Sequence, residues 1–157
     1  MKIKLDAADK FFEAVAIISV FANAAIIAIN YSGLPDVIPN HFDLNGLPNQ
    51  YGSKNSLWAV VAVSVFIYTL MGIIAMFPAS FNYPSQKNDK ESQYKLGVKL
   101  LRSLRACILL FIALISFVMI QSAKTGMIKG TFWIIAIVPA ILFGNLIWFF
   151  VQWRKIK

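Results

Sequence analysis

The sequence holds one histidine, His41, with Asp43 just beyond it and Asp36 upstream. An imidazole near carboxylates can serve as a pH-sensitive group, a metal ligand or half of an acid–base pair. Along an extended backbone, positions 41 and 43 point to one side and Phe42 to the other, so the two polar groups are expected to share a face. Three readings stay open for His41: a hydrogen-bond partner that steadies a turn, a ligand-recognition residue, or a metal ligand. A metal site needs three or four nitrogen, sulfur or oxygen ligands, and no Cys/His cluster accompanies His41. No nucleophile is paired with it, and neither an HExxH motif nor a phosphate-binding glycine loop occurs. The expectation is therefore no catalytic residue, no metal and no cofactor. The lone cysteine, Cys107, lies in an apolar run and reads as a buried small side chain.

The rest of the chain explains where such residues can sit. Of 157 residues, 59% are apolar and 14% charged, with mean hydropathy +0.67. A soluble domain carries about 45–50% apolar and about 25% charged residues. A soluble enzyme, a disordered chain and a disulfide scaffold are excluded, and an integral membrane protein remains. Four apolar runs approach the ~20 residues that cross ~30 Å of hydrocarbon: about 11–30, 57–77, 100–120 and 131–151. The third is cleanly apolar only from Ala106 to Ile120 and reaches full length if Arg102 and Arg105 extend to the interface. Pro139 predicts a kink in the fourth. The runs are continuous, without the alternation of barrel strands. A single all-α membrane domain over 1–157, with four transmembrane helices, is expected. Ala22-Asn23-Ala24 resembles a signal-peptidase site, but the apolar run continues to Ile29, so a retained helix is expected.

Basic residues set the orientation. Twelve of the fifteen lysines and arginines fall in the N-terminal tail, the second loop and the C-terminal tail. Both termini and the second loop are expected in the cytoplasm. The net charge of +8 then follows from sidedness, and nucleic acid is not needed to explain it. Tyr31, Trp58 and Trp133 fall at outer ends of spans, and Trp148 and Trp153 at the inner end of the last.

The first loop holds three of the six prolines, Pro35, Pro39 and Pro48, and a turn signal at Asn45-Gly46. Extended pieces around Ile38–Leu44 and Leu47–Tyr51, folded about that turn, predict an ordered extracytoplasmic cap. The second loop predicts an amphipathic helix capped by Asn88 or Asp89. Its basic stripe of Lys95, Lys99 and Arg102, with Arg105 beyond, is expected at the membrane surface, where it meets anionic headgroups or a cytoplasmic regulator.

One stretch is more specific. Leu34-Pro35-Asp36-x-Ile38-Pro39-x-His41-Phe42-Asp43-x-x-Gly46-x-Pro48-x-x-Tyr51-Gly52-x-Lys54 resembles a bacterial membrane family. That family is a domain of unknown function that also forms the N-terminal part of SdpI-like immunity proteins. The resemblance covers roughly Ala14 to Pro78, with the signature loop at 34–54. It implies a multi-span bacterial inner-membrane protein without established enzymatic activity. Its best-known relatives protect the producing cell against a secreted peptide toxin and sequester a repressor at the membrane; the longer ones have six spans where four are predicted here. Pro39, His41, Phe42, Asp43, Gly46, Pro48, Tyr51 and Lys54 are the candidate ligand-recognition residues. The expected function is a sensing or immunity-type module that binds an extracytoplasmic peptide or envelope component. The alternative is a subunit of an oligomeric transporter or permease, motivated by Pro139, Gly72, Gly144, Asn23 and Asn145. The lipid bilayer and a further copy of the chain complete the expected partners.

Overall fold

The computed structural model of the chain describes residues 5–43, 47–84, 87–126 and 132–156, the side chains of 132–136 excepted. The turn expected at Asn45-Gly46, and with it Gly46 as a recognition residue, lies outside the described residues, as do Leu44, Lys2, Lys4, Lys129, Lys157 and the Trp133 ring.

Helix α1 runs Ala7–Asn30. It opens with a reciprocal cap: Asp9 N–H donates to Asp6 Oδ1 at 2.9 Å, and Asp6 N–H donates to Asp9 Oδ2 at 3.1 Å. Two of the otherwise unpaired amides at the helix start are thereby satisfied. After a 3-10 turn at Tyr31–Gly33 the chain forms strands β1 (Val37–Phe42) and β2 (Pro48–Ser53), an antiparallel hairpin.

Helix α2, Ser56–Ile74, stops three residues short of the expected Phe77. A proline ring clashes with the carbonyl four residues back and drives its predecessor out of helical conformation. With Pro78 in place, that carbonyl is Ile74's and that predecessor is Phe77, which sits at φ −119°, ψ 57° ahead of a 3-10 turn at Pro78–Ser80.

The main departure from expectation is α3, one continuous helix over Lys90–Thr125. Its 36 residues span about 54 Å at ~1.5 Å each, well beyond a ~30 Å hydrocarbon layer. The amphipathic segment is thus the first third of the same rod as the third span, not a separate helix lying in the leaflet. Gln93, Leu96, Gly97 and Val98 on this segment are buried against protein. Asp89 caps the start by accepting from Ser92 N–H at 3.0 Å. Gly126, with φ 69°, ends it in the left-handed conformation that suits glycine, its N–H donating to Ser122 O at 2.8 Å. Helix α4 runs Phe132–Lys155 and carries Pro139 inside it.

Side-chain links fix the directions. Asp6 meets Lys99 at one end and Asn30 meets Lys124 at the other, so α1 and α3 are parallel. Glu13 meets Tyr68 and Asn23 meets Ser64, so α2 is antiparallel to α1. Asn145 meets Cys107, and Trp153 packs with Leu96, so α4 is antiparallel to α3. The long α3 is the centre, packing against α1, α2, α4 and the hairpin. Ala16, Ala106 and Leu109 form the middle of the α1–α2–α3 core, where two alanines let backbones approach closely. Phe21, Phe66, Phe143 and Phe150 are exposed on the outer faces, as lipid-facing residues are.

At the end away from the hairpin, residues 81–84 fold back onto α3 and α4. The Tyr83 ring stacks on Trp153 at 5.4 Å and 10°, and its hydroxyl donates to Pro78 O at 2.9 Å. Burial pushes the Tyr83 phenol up to about 12.

Candidate functional site

The hairpin is held to the bundle through its first strand. Ile38 is fully buried with Ile27 of α1, Leu57 of α2 and Met119 and Ile120 of α3, and half-buried Phe42 packs on the same cluster. Pro39 is also buried. Both strands are clamped where they join the helices. Lys54 Nζ donates to Leu34 O at 3.1 Å, pairs with Asp36 Oδ1 at 3.1 Å and stands 5.3 Å above the Tyr31 ring. The Tyr31 hydroxyl donates to Asn55 Oδ1, and its ring lies 5.7 Å from Trp58.

His41 and Asp43 turn to the returning strand instead of to each other. Asp43 closes the hairpin: its Oδ1 accepts from Leu47 N–H at 2.8 Å, and its N–H donates to Leu47 O at 2.9 Å. His41 Nδ1 lies 2.5 Å from Asn49 Oδ1, a side-chain hydrogen bond across the two strands. The strand register shifts on both sides of His41. Pro39 and Pro48 have no N–H to give the ladder, and this interrupts the simple alternation read from sequence. Among the described residues no three of His, Cys, Asp and Glu gather as a metal site would require.

The eight candidate recognition residues therefore separate. Pro39 is buried, Phe42 packs on the bundle, Asp43 bonds to Leu47 and Lys54 is the clamp. His41 and Tyr51 are exposed, the latter 61%, with Val37, Asn49 and Gln50 beside them. Pro48 is half-buried, paired across from Phe42. These exposed groups offer hydrogen bonds and an aromatic face, the chemistry of recognition.

A second constellation, at the opposite end, was not singled out from sequence. Asp6, Asp9 and Glu13 of the α1 start face Lys99, Arg102 and Arg105 of α3 as three successive ion pairs. The outermost, Asp6–Lys99, is exposed, and the Lys99 ammonium beside Asp6 holds its carboxyl down at about 2. The next joins Asp9 Oδ1 and Arg102 at 3.3 Å, with Asp9 only 4% exposed. The innermost, Glu13–Arg105, is buried on the arginine side. Tyr68 hydroxyl donates to Glu13 Oε1 at 2.7 Å, and the guanidinium sits 4.7 Å from the Tyr68 ring. Gly72 leaves the room Arg105 occupies: a Cβ there would lie 3.0 Å from its terminal nitrogen.

Of the four residues expected at the membrane surface, Lys99, Arg102 and Arg105 are thus turned toward α1, because three carboxylates at matching height offer a better partner than headgroups. Lys95 pairs within α3 to Glu91 at 2.5 Å. The signal was present as two triplets of opposite sign, spaced by three and four residues on α1 and by three on α3, at the same end of two parallel helices.

The polar residues that motivated a transport pathway act as links between or within helices. Asn23 Nδ2 donates to Ser64 Oγ at 3.0 Å in the core, and Asn145 Nδ2 donates to Ile141 O at 3.1 Å and contacts Cys107 Sγ at 3.5 Å.

Four helices long and apolar enough to span a bilayer, one of them carrying the other three, define a multi-pass helical membrane protein. Residues 18–68 are similar to the family described as Domain of unknown function (DUF1648). The match runs from within α1, through the hairpin, into α2, so the clamped hairpin and its flanking helices form the matched unit. No curated protein and no solved structure matches the chain.

Proposed function

We propose that the chain is a small bacterial inner-membrane binding module of the sensing or immunity type, whose hairpin recognises an extracytoplasmic peptide or envelope component. The observation that carries this reading is a hairpin anchored firmly through some of its residues while others stay exposed. Packing and clamps consume Ile38, Pro39, Phe42 and Lys54. Val37, His41 and Tyr51 stay open. A connector needs no such anchoring, whereas a recognition surface gains affinity from it, since little ordering entropy is lost on binding. The orientation rests on the basic residues at the far end, with both termini in the cytoplasm and the hairpin outside.

Two measurements test it. A thiol reagent excluded from the cytoplasm should modify Asn49→Cys and leave Ser92→Cys untouched. A strain lacking the protein should be more sensitive to secreted peptide toxins or envelope stress. Wild type should restore resistance, and Tyr51→Ala with His41→Ala, expressed to the same level, should not. Equal sensitivity with and without the protein would remove the reading.

A further inference from the structure

At the end away from the hairpin, residues 81–84 cross over α3 and α4 and leave an apolar groove of about 280 Å³ beside them. Leu100, Leu101 and Leu104 of α3 and Leu146, Phe149 and Phe150 of α4 form its walls. Leu146 and Phe150 are also exposed, 37% and 51%, so the groove opens onto the lipid-facing side of the bundle. One turn of a helix ~10 Å across and ~5.4 Å long fills about 400 Å³, more than the groove holds. A single hydrocarbon chain fits where a helix does not.

Two cations stand at one end of this groove. Arg154, exposed, lies one turn beyond Phe150 and continues the Leu146–Phe150 row at the four-residue spacing that keeps side chains on one helix face. Lys87 Nζ stands 5.8 Å from the Trp153 ring, which stacks on the groove residue Tyr83. Neither cation has an ion pair among the described residues. The seven acidic side chains of the sequence are engaged elsewhere. Five pair with Lys54, Lys95, Lys99, Arg102 and Arg105, Asp89 caps α3, and Asp43 accepts from Leu47. An apolar slot that opens toward lipid and ends at two unpaired cations suits an occupant with a hydrocarbon tail and an anionic head.

We propose that this groove binds an anionic phospholipid, one acyl chain lying along Leu101, Leu104 and Phe150 and the headgroup phosphate meeting Arg154 and Lys87. A headgroup with its own ammonium brings a third positive charge beside these two, whereas one with net negative charge keeps the whole attraction. The contact with headgroups expected of Lys95, Lys99, Arg102 and Arg105, all of which pair with carboxylates, falls instead to cations beside α4. Lys155 supplies the contrast, since it follows Arg154 in sequence but lines the separate cleft between α1 and α4.

The test is lipid retention by the full-length protein, released from micelles doped with equal amounts of three lipids and read by native mass spectrometry. Phosphatidylglycerol should be retained about tenfold or more over phosphatidylcholine and phosphatidylethanolamine, the discrimination two basic side chains give an anionic headgroup. Arg154→Gln should reduce that preference severalfold, and Arg154→Gln with Lys87→Gln should abolish it. Arg154 is exposed and without an ion pair among the described residues, so its variant leaves the fold intact. Lys155→Gln removes the same charge one residue away and should leave the preference as in wild type. Leu104→Trp, which fills the groove, should lower retention of phosphatidylglycerol with both cations still present. Equal retention of the three lipids would overturn the proposal. An effect of Lys155→Gln as large as that of Arg154→Gln would replace the site with diffuse attraction to the basic end. Full retention by Leu104→Trp would remove the acyl chain from the groove.

Discussion

Arg105 of α3 and Glu13 of α1 form an ion pair in which the guanidinium is almost wholly withdrawn from solvent while the carboxylate is also held by the Tyr68 hydroxyl. One pair thus ties three helices together. Removing one partner of a buried pair strands the other's charge, at a cost of about 3–5 kcal/mol, whereas replacing both with apolar groups is often neutral. Glu13→Leu, which strands the buried guanidinium, is expected to destabilise the bundle by about that amount, and Arg105→Met, which strands a carboxylate still 30% exposed, by less. The double variant should recover most of it. Unfolding by denaturing detergent across this mutant cycle measures the coupling.

The outermost pair gives a pH dependence of defined sign. The Asp6 carboxyl is lowered from 3.8 to about 2 by the Lys99 ammonium. A carboxyl lowered on folding contributes stability above its unfolded value and loses it as pH falls to the folded one. The contribution should be constant above pH ~5 and fade between about 4 and 2. Thermal unfolding of wild type and Asp6→Asn across that window should converge at the acid end and differ at neutral pH.

The close approach of Tyr83 to Gly97 predicts a third effect. A Cβ on residue 97 would lie 2.8 Å from the Tyr83 hydroxyl and 2.9 Å from its ring. Gly97→Ala should push Tyr83 off Trp153 and cost about 1–3 kcal/mol, as overpacking does. Gly144 has nothing within 4 Å of its virtual Cβ. Gly144→Ala should therefore stabilise α4 by about 0.5–1 kcal/mol, the helix penalty of glycine relieved. Tryptophan fluorescence and melting temperature of the two variants separate the cases.

Which features the sequence exposes follows from their range. The spans were legible because burial in lipid requires long uninterrupted apolar runs, and the stop ahead of Pro78 is written locally, whereas the continuity of α3 from Lys90 to Thr125 depends on what its first third packs against. The hairpin was legible locally too, from Pro39, Pro48 and the residues between them. The ion-pair series was not, because pairing Asp9 with Arg102 or Glu13 with Arg105 depends on which helices are parallel and at what height. Read singly, an arginine near a span's end looks like an anchor in headgroups. The division of labour in the signature loop was also hidden. Whether Lys54 or His41 faces outward is decided by where Tyr31 and Leu34 end up, not by spacing.

Lys54 offers the most discriminating test of how the hairpin is held. Its ammonium has two different kinds of partner. Asp36 is 94% exposed, so that ion pair is screened by water and should be worth about 0–1 kcal/mol. The Leu34 carbonyl and the Tyr31 ring lie on the sheltered side, and Lys54 itself is only 19% exposed. A charge-assisted hydrogen bond of that kind contributes about 1.5–3 kcal/mol, and the ring contact about 0.5–1. Asp36→Asn is therefore expected to leave the hairpin nearly as protected as wild type. Lys54→Met, which keeps the aliphatic stem and loses the charge, should raise amide exchange throughout Val37–Phe42 and Pro48–Ser53 by ten- to a hundredfold or so, as a loss of about 1.5–3 kcal/mol requires. Exchange in α3 should stay as in wild type, since the hairpin opens without the bundle. Equal exchange in the two variants would transfer the clamp to Asp36 and the surface ion pair.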